Sequence, residues 1–306
     1  MTKPLILITG ATGKTGSPVA QGLIERGFPV RAFVHTIDDR SERLRVFGAD
    51  VVVGDFLDLQ SVRSAMRDVK RVYFCYPPQG DRLLEAATNV AVAARAAGVE
   101  AVVNISQISA REQARSPLSR HHWLSEQVLD WANVGAAHIH PTFFAEIPYL
   151  LSGQSIAEEG KLYLPFGKGK HAPVAAEDIA SVVAGILANP EPHIGQHCVV
   201  TGPKDMTITE MAEVLTQEIG KPVEYVDLPI AEWRKILVEK AGVPEFLATH
   251  LAAVAQDHKD GVFSAETDVV ERIGGRPPLS FAQFVGNHIA EFSGNTHSSG
   301  SKIAHA

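Results

Sequence analysis

A short glycine-rich turn near the N-terminus constrains the fold of this chain more than any other feature. It reads TGATGKTG from Thr9 to Gly16, follows the apolar run Leu5–Ile8 and precedes a segment of helical period. Glycines at positions 10, 13 and 16 permit a tight turn, close approach of a ligand to the backbone and close packing of the helix on the strand. Such a strand-turn-helix unit is typical of a parallel sheet with crossover helices.

The same alternation continues along the chain. Short runs rich in Val and Ile alternate with helical segments over about the first 140 residues, which predicts successive βα units. We expect strands at Leu5–Thr9, Val30–Val34, Val51–Val53, Arg71–Tyr76, Ala101–Ser106 and Ala136–His140. We expect helices at Thr15–Glu25, Ser41–Phe47, Gln60–Met66, Arg82–Ala97 and Ser119–Trp131. The predicted fold class is α/β, a Rossmann-like doubly wound parallel sheet with a smaller C-terminal α/β substrate subdomain.

The alternation of strands and helices ends after Pro141, which indicates a second structural unit. We predict a first domain over residues 1–142, to which later segments can return, a substrate subdomain over 143–292 and a flexible tail over 293–306. A helix is expected at Ala176–Ala188. The expected later elements are a strand near His197–Val200, a helix Thr209–Ile219, a strand Val223–Val226 and helices that begin at Ala231, Pro244 and Ser280.

Composition narrows the function classes. The formal net charge is −7 and no basic cluster stands out, which argues against a nucleic-acid partner. Cys75 and Cys198 are the two cysteines and form no closely spaced pair, so a reducing compartment fits best. The first apolar run is too short for a signal peptide, and no stretch approaches the roughly 20 apolar residues of a membrane span. We expect a cytoplasmic protein without a membrane partner.

The glycine turn predicts a dinucleotide site. Backbone amides and the dipole at the helix N-terminus bind phosphates, so the candidate cofactor residues are Gly10, Thr12, Gly13, Lys14, Thr15 and Gly16. Thr9 stands four residues before Gly13, where a phosphate-binding loop of the Walker type requires glycine. The alternative is a glycine-rich turn without a ligand.

The end of the second predicted strand bears on the choice between the two nicotinamide cofactors. An acidic residue there would bind the ribose hydroxyls of NAD, but this chain has His35. Arg40 and Arg43 follow and suit a 2′-phosphate, although Asp38 and Asp39 lie between. The pattern favours NADP(H) over NAD(H).

Other candidates for the same crevice follow the third, fourth and sixth predicted strands. Asp55 and Phe56 are placed to meet the adenine, and the alternative for them is a helix cap and a core ring. The crevice is also expected to be lined by Tyr76, Pro77, Pro78, Pro141, Thr142, Phe143 and Phe144. Phe in such loops is more often a core residue, which is the favoured alternative for Phe144.

Several motifs together resemble the NmrA-like group of atypical short-chain dehydrogenases. They are the TGATGKTG turn, GDFLD at 54–58, HPTFFAE at 140–146 and AAEDIA at 175–180. The resemblance covers about residues 4–292 and implies a Rossmann-like domain, an NAD(P) site and a small C-terminal substrate subdomain. The group contains quinone, azo-dye and triphenylmethane-dye reductases as well as cofactor-sensing regulators. This chain departs from it at His35 and His140, where the group often carries Arg.

The catalytic pair of ordinary short-chain dehydrogenases, Tyr followed by Lys four residues later, is absent. All five tyrosines are followed at that distance by Pro or Gly. On the helix where the pair would fall, His122 and Glu126 lie one turn apart, as in the reductases of the group. We predict that His122 orients and protonates the substrate while Glu126 fixes its tautomer; the alternative is a pair of solvated residues. Ser106, at the end of the fifth strand, is predicted to bind substrate or ribose, or else to cap the strand.

The leading hypothesis is an NAD(P)H-dependent reductase that passes hydride directly to a small, aromatic or quinone-like electrophile, without flavin or metal. His193 and His197 have metal-like spacing, but Pro192 and Gly195 argue against a helix that would aim both at one ion. The expected partner is a small-molecule substrate, and the expected state a monomer or homodimer. The alternatives are a non-catalytic NAD(P) sensor acting through a protein partner and, less favoured, an epimerase or dehydratase.

Overall fold

The computed structural model describes residues 3–77 and 81–292. In chain order, the strands are β1 (Leu5–Thr9), β2 (Val30–Val34), β3 (Asp50–Val53), β4 (Val69–Phe74), β5 (Ala101–Ile105), β6 (Ala136–Pro141), β7 (Lys161–Leu164), β8 (Lys170–His171), β9 (His197–Val200), β10 (Met206–Thr207) and β11 (Glu224–Asp227). The helices are α1 (Gly16–Glu25), α2 (Asp39–Phe47), α3 (Leu59–Ala65), α4 (Leu83–Ala97), α5 (Pro117–Ala132), α6 (Ile147–Glu159), α7 (Ala176–Ala188), α8 (Ile208–Ile219), α9 (Ile230–Glu239), α10 (Glu245–Lys259), α11 (Phe281–Asn287) and α12 (Ile289–Phe292). A 3₁₀ turn spans Glu191–His193 and a π-helical turn spans Val270–Gly274.

Within the described residues, seven strands form one large sheet in the order β3-β2-β1-β4-β5-β6-β9. Every neighbouring pair in it is parallel. The order reverses direction between β1 and β4, and a doubly wound sheet binds ligands outside the carboxyl ends of its strands at such a point. The predicted Rossmann-like α/β fold class is confirmed.

Local sequence explains where the elements begin and end. The strand β1, LILIT, is buried from its second residue onward, as expected for a central strand covered on both faces. Helix α5 begins where the Ser116 side chain accepts hydrogen bonds from the amides of Leu118 and Ser119. It ends at Asn133, which has a φ of +54°, and asparagine tolerates that left-handed conformation better than most residues.

Two segments that the sequence assigned to the second subdomain return to the large sheet. Helix α7 is apolar on nearly every side and packs against α1, β4 and β5. Strand β9 pairs with β6 and becomes the outer strand next to it. The chain therefore passes between the two units more than once, which the predicted domain boundaries allowed.

The second unit surrounds its own apolar cluster, which includes Phe166, Met211, Trp233 and Phe284. It contains two small sheets, β7 with β11 in parallel and β8 with β10 antiparallel. Its later helices begin within two residues of the predicted positions, whereas α6 and β7 were not predicted. The predicted tail at 293–306 lies outside the described residues. No described helix is both long enough and apolar enough to cross a bilayer.

Candidate functional site

The glycine turn after β1 folds tightly around the carbonyl group of Gly10. Gly10 has a φ of +57°, a conformation that favours glycine. The Gly13 amide donates a hydrogen bond to the Gly10 carbonyl oxygen at 2.9 Å. A Cβ added to Gly16 would lie 2.1 Å from the same oxygen, so any side chain there would push α1 away from the turn. Backbone conformation at position 10 and packing at position 16 therefore both require glycine.

The N-terminus of α1 fits an anionic group. The first turn of a helix leaves backbone N–H groups without intrahelical acceptors. Among the described residues, no side chain caps α1 and no acid lies in its first turn. The buried Thr15 hydroxyl instead shares a hydrogen bond of 2.9 Å with the Tyr73 hydroxyl. A Cβ on Gly13 would meet only the Gly10 carbonyl oxygen, at 3.1 Å. The backbone there is open to a ligand, as a dinucleotide diphosphate requires.

The side chain of Lys14 joins the glycine turn to α6. Its ammonium lies 3.3 Å from the Tyr149 hydroxyl and 5.4 Å from the centre of that ring. Thr12, in the same turn, is partly buried. The glycine turn and the second unit therefore meet at Lys14, so a ligand on the turn would lie beside α6.

In the region predicted to bind the 2′-phosphate, one of the two arginines already forms an ion pair with a neighbouring carboxylate. His35 is exposed at the end of β2. The Arg40 guanidinium pairs with the Asp38 carboxylate at 2.6 Å. Backbone hydrogen bonds from Ser41, together with the neighbouring Arg40, lower the pKa of Asp38. Arg43 is exposed on the same helix. Arg40 is thus already engaged by a carboxylate, and Arg43 has the freer guanidinium.

The predicted adenine residues lie at a small aromatic cluster. The Phe56 ring packs edge-on against Phe33 and Phe74, with ring centroids 5.3 and 5.8 Å away. Tyr76 lies 5.8 Å from the same ring. The exposed Asp55 carboxylate accepts a hydrogen bond from the Leu57 amide at 2.9 Å. Phe56 is therefore a packing residue, as its alternative stated, whereas Asp55 shapes its own turn and the helix cap of α3 is Asp58. A contact of either residue with adenine stays a prediction.

The remaining crevice candidates differ in exposure. Pro77 is exposed, and Pro78 lies outside the described residues. Pro141 is buried as the last residue of β6. Phe144 is partly buried, whereas its neighbour Phe143 stacks on Phe263 with centroids 4.3 Å apart. Phe144 is therefore the more accessible of the two rings.

Ser106, Glu126 and His140 form a buried hydrogen-bonded set where α5 covers β5 and β6. The Ser106 hydroxyl donates to Glu126 Oε1, and His140 Nε2 lies 2.8 Å from the same oxygen. Glu126 is 1% exposed. Burial alone would raise the pKa of Glu126, but the hydrogen bonds from His140 and Ser106 outweigh it and lower the pKa. The carboxylate is therefore held ionised at neutral pH.

The predicted partnership between His122 and Glu126 is not what the structure shows. Glu126 takes its hydrogen bonds from Ser106 and His140, so it does not fix the His122 tautomer. Burial, with a smaller contribution from His250, lowers the pKa of His122 to about 3. His122 is therefore neutral at pH 7.

One residue near the turn was missed by sequence reasoning. Glu146 is 5% exposed and accepts a hydrogen bond from the Ala176 amide through Oε1. Its Oε2 is buried and has no partner in the described structure. Burial raises the pKa of Glu146, and Lys14 is close enough to oppose that shift in part. Its only signal in the sequence was its place in the HPTFFAE motif.

Comparison with known proteins identifies the family of the chain. A model of the NmrA-like family matches residues 2–272. An NAD(P)H azoreductase from Xenophilus azovorans is 32% identical over 294 residues, 94% of this chain and 99% of that protein. The NADPH complex of an NADPH-dependent quinone oxidoreductase from Escherichia coli matches with a TM-score of 0.81 and 26% identity, covering 93% of this chain and 99% of that one. The NADP(H) complex of a Citrobacter sp. triphenylmethane reductase matches with a TM-score of 0.81 and 25% identity, covering 92% and 99%. The resemblance predicted from the motifs is confirmed, and the chain belongs to the NmrA-like family.

Proposed function

We propose that the protein is an NAD(P)H-dependent reductase that passes hydride directly to a small, aromatic or quinone-like electrophile. The observation that carries this proposal is the glycine turn, where an uncapped helix N-terminus lies beside open backbone. Two phosphates of a dinucleotide suit such a site. The full-length similarity to an azoreductase, a quinone oxidoreductase and a triphenylmethane reductase supports the reaction class.

The chemistry balances without a further redox group. Bound NAD(P)H supplies two electrons and one proton as a hydride, which requires neither flavin nor metal. A quinone that accepts this hydride becomes a hydroquinone after it takes one more proton. An acceptor of this kind needs no strong acid at the instant of hydride transfer, which agrees with the absence of a Tyr and Lys pair.

We assign orientation, rather than protonation, to His122. With a pKa of about 3, the neutral ring has one N–H that can donate a hydrogen bond to the acceptor oxygen. Ser106 donates its own proton to Glu126, so its lone pairs remain available to a substrate hydroxyl or to the ribose. Glu126 is a positioning residue for Ser106, and water supplies the final proton.

We propose NADP(H) as the preferred cofactor. The end of β2 has no acid to bind the ribose hydroxyls of NAD, and the exposed Arg43 on α2 suits a 2′-phosphate. Because Asp38 already pairs with Arg40, we expect a modest preference, about tenfold in kcat/KM, which corresponds to about 1.4 kcal/mol.

The proposal is tested by measuring the steady-state oxidation of NADPH and NADH with quinones, azo dyes and cationic dyes as acceptors. We expect turnover with at least one of these classes and a higher kcat/KM with NADPH. Arg43→Ala is expected to reduce the preference for NADPH, and Arg26→Ala, on the far end of α1, serves as the matched control. Tight binding of both cofactors with no turnover of any acceptor would instead favour the non-catalytic sensor.

A further inference from the structure

The outer edge of the large sheet carries a group of histidines that the proposed hydride step does not use. His140 on β6 and His197 on the neighbouring β9 both face the buried Glu126 of α5. We propose that Glu126, His140 and His197 form a binding site for a divalent transition-metal ion of the Zn²⁺ type.

The distances between the potential ligand atoms suit tetrahedral coordination. His140 Nε2 lies 3.4 Å from His197 Nδ1. His197 Nδ1 lies 3.6 Å from Glu126 Oε2, and His140 Nε2 lies 2.8 Å from Glu126 Oε1. Zn²⁺ binds nitrogen and oxygen at about 2.0–2.2 Å, which places two ligands of a tetrahedron about 3.3–3.5 Å apart. Only the shortest of the three distances has to lengthen when an ion enters.

The ligand types and their exposure also suit a metal. Two imidazoles and one carboxylate match the preference of Zn²⁺ for nitrogen and oxygen donors, and three protein ligands leave a fourth position for water. Glu126 is buried, whereas the His197 side chain is 45% exposed. An ion can therefore enter from solvent past His197 and meet the Glu126 carboxylate below.

Neighbouring residues fix the orientation of the proposed ligands. The Ser106 hydroxyl donates to Glu126 Oε1, which is the kind of outer hydrogen bond that orients a metal-binding carboxylate. The His138 ring lies 4.9 Å from the His197 ring. Both His138 nitrogens are already engaged, Nδ1 with Asn104 and Nε2 with Asp130, each at 3.1 Å. Asp130, His138 and His197 thus form a second group of potential ligand atoms beside the proposed one, but in that group His138 already contacts Asn104 and Asp130.

The proposed site is not the pair of His193 and His197 that was considered from the sequence. His193 precedes β9 and is not part of the cluster. The partners of His197 come instead from β6 and α5, which are distant in sequence. A bound ion would join α5, β6 and β9, so it would stabilise the sheet edge.

Zinc titration of the full-length chain tests the proposal. After treatment with a chelator, the wild type is expected to bind one equivalent of Zn²⁺ at the cluster, measured by competition with a chromophoric chelator. His197→Gln is expected to weaken that binding about 100-fold, since even outer-shell losses cost 10–100-fold. His193→Gln is the matched control on the same connection. The double variant His297→Gln/His305→Gln controls for histidines near the C-terminus, and both controls are expected to bind as the wild type does.

Two further readouts separate a metal site from a merely structural cluster. Co²⁺ is expected to give the intense visible absorption of a tetrahedral site in the wild type and not in His197→Gln. Zn²⁺ is expected to raise the Tm of the wild type and leave that of His197→Gln unchanged, because only a ligand of the folded state stabilises it. The proposal is overturned if the wild type binds no Zn²⁺ at micromolar concentration, or if His197→Gln binds it as tightly as the wild type. Loss of binding in the C-terminal double variant alone would overturn it equally.

Discussion

Replacing Gly16 by alanine is expected to damage both folding and cofactor binding, because the new methyl group has no space. Its Cβ would lie 2.1 Å from the Gly10 carbonyl oxygen, and an ordinary contact begins at 3.4 Å. The start of α1 must therefore move by about 1.3 Å relative to the turn. Overpacking of this kind costs about 1–3 kcal/mol of stability.

The same movement displaces the amides that are proposed to bind the diphosphate. We expect NADPH affinity to fall at least about tenfold, or about 1.4 kcal/mol. Urea unfolding measures the stability of the variant, and isothermal titration calorimetry with NADPH measures its affinity under conditions where it remains folded.

Gly22 provides a matched control, and Gly13 separates the effect on affinity from the effect on stability. Gly22 lies in the same helix with nothing within 4 Å of an added Cβ, so Gly22→Ala is expected to gain up to about 1 kcal/mol of stability from helix propensity and keep its affinity. Gly13→Ala would meet only one carbonyl oxygen, at 3.1 Å, so it is expected to lose affinity with little loss of stability. The reasoning is refuted if Gly16→Ala matches the wild type in both measurements, or if Gly22→Ala is equally damaging.

Three further substitutions test other parts of the account. Burial raises the pKa of Glu146 in the folded protein. The stability that the protonated carboxyl group contributes is therefore fully present below the unfolded-state pKa of about 4.3, and it is lost as the pH rises through the folded-state pKa. Glu146→Gln should flatten that part of the urea-midpoint profile, and an unchanged profile would contradict the assignment. Asp257 is fully buried between Arg111 and Arg115, which are 36% and 47% exposed. Asp257→Asn is expected to lower the free energy of urea unfolding by about 2 kcal/mol, less than for a pair in which both partners are buried. A decrease below about 0.5 kcal/mol would contradict this assignment. His122→Ala should lower kcat about 100-fold without changing cofactor affinity, because it removes one hydrogen-bond donor to the acceptor oxygen. Because the His122 pKa is about 3, a kcat limb near pH 6.5 that disappears in this variant would count against the neutral-imidazole role.

The first half of the fold was predictable because its signals are local. Each strand of the βα units is a short apolar run, and each crossover helix follows it directly, so order and approximate bounds could be predicted as far as β6. The glycine spacing likewise placed the turn, since its three glycines lie within seven residues.

The return of α7 and β9 to the large sheet could not be predicted in the same way. Nothing in the segment HCVV states which sheet it joins, because strand pairing depends on which edge is left open after the other strands have assembled. Helix α6 was not predicted for a related reason. It directly follows β6, where the regular alternation of apolar runs and helical segments ends.

The candidate catalytic residues show the same limit. Helical spacing correctly places His122 and Glu126 one turn apart, but it does not reveal what lies opposite that face. The partners of Glu126 are Ser106 and His140, which are 20 and 14 residues away in sequence. Their identity depends on the packing of α5 over β5 and β6, which only the tertiary structure provides.

Calorimetric titration of the purified protein with NADPH and NADH, compared with Gly13→Val, tests the central claim most directly. We expect the wild type to bind one equivalent of cofactor with micromolar affinity, and the folded variant to bind at least about 100-fold more weakly, or about 2.7 kcal/mol. Equal affinities in the two proteins, or no binding of either nucleotide by the wild type at millimolar concentration, would contradict the claim that the glycine turn binds the diphosphate.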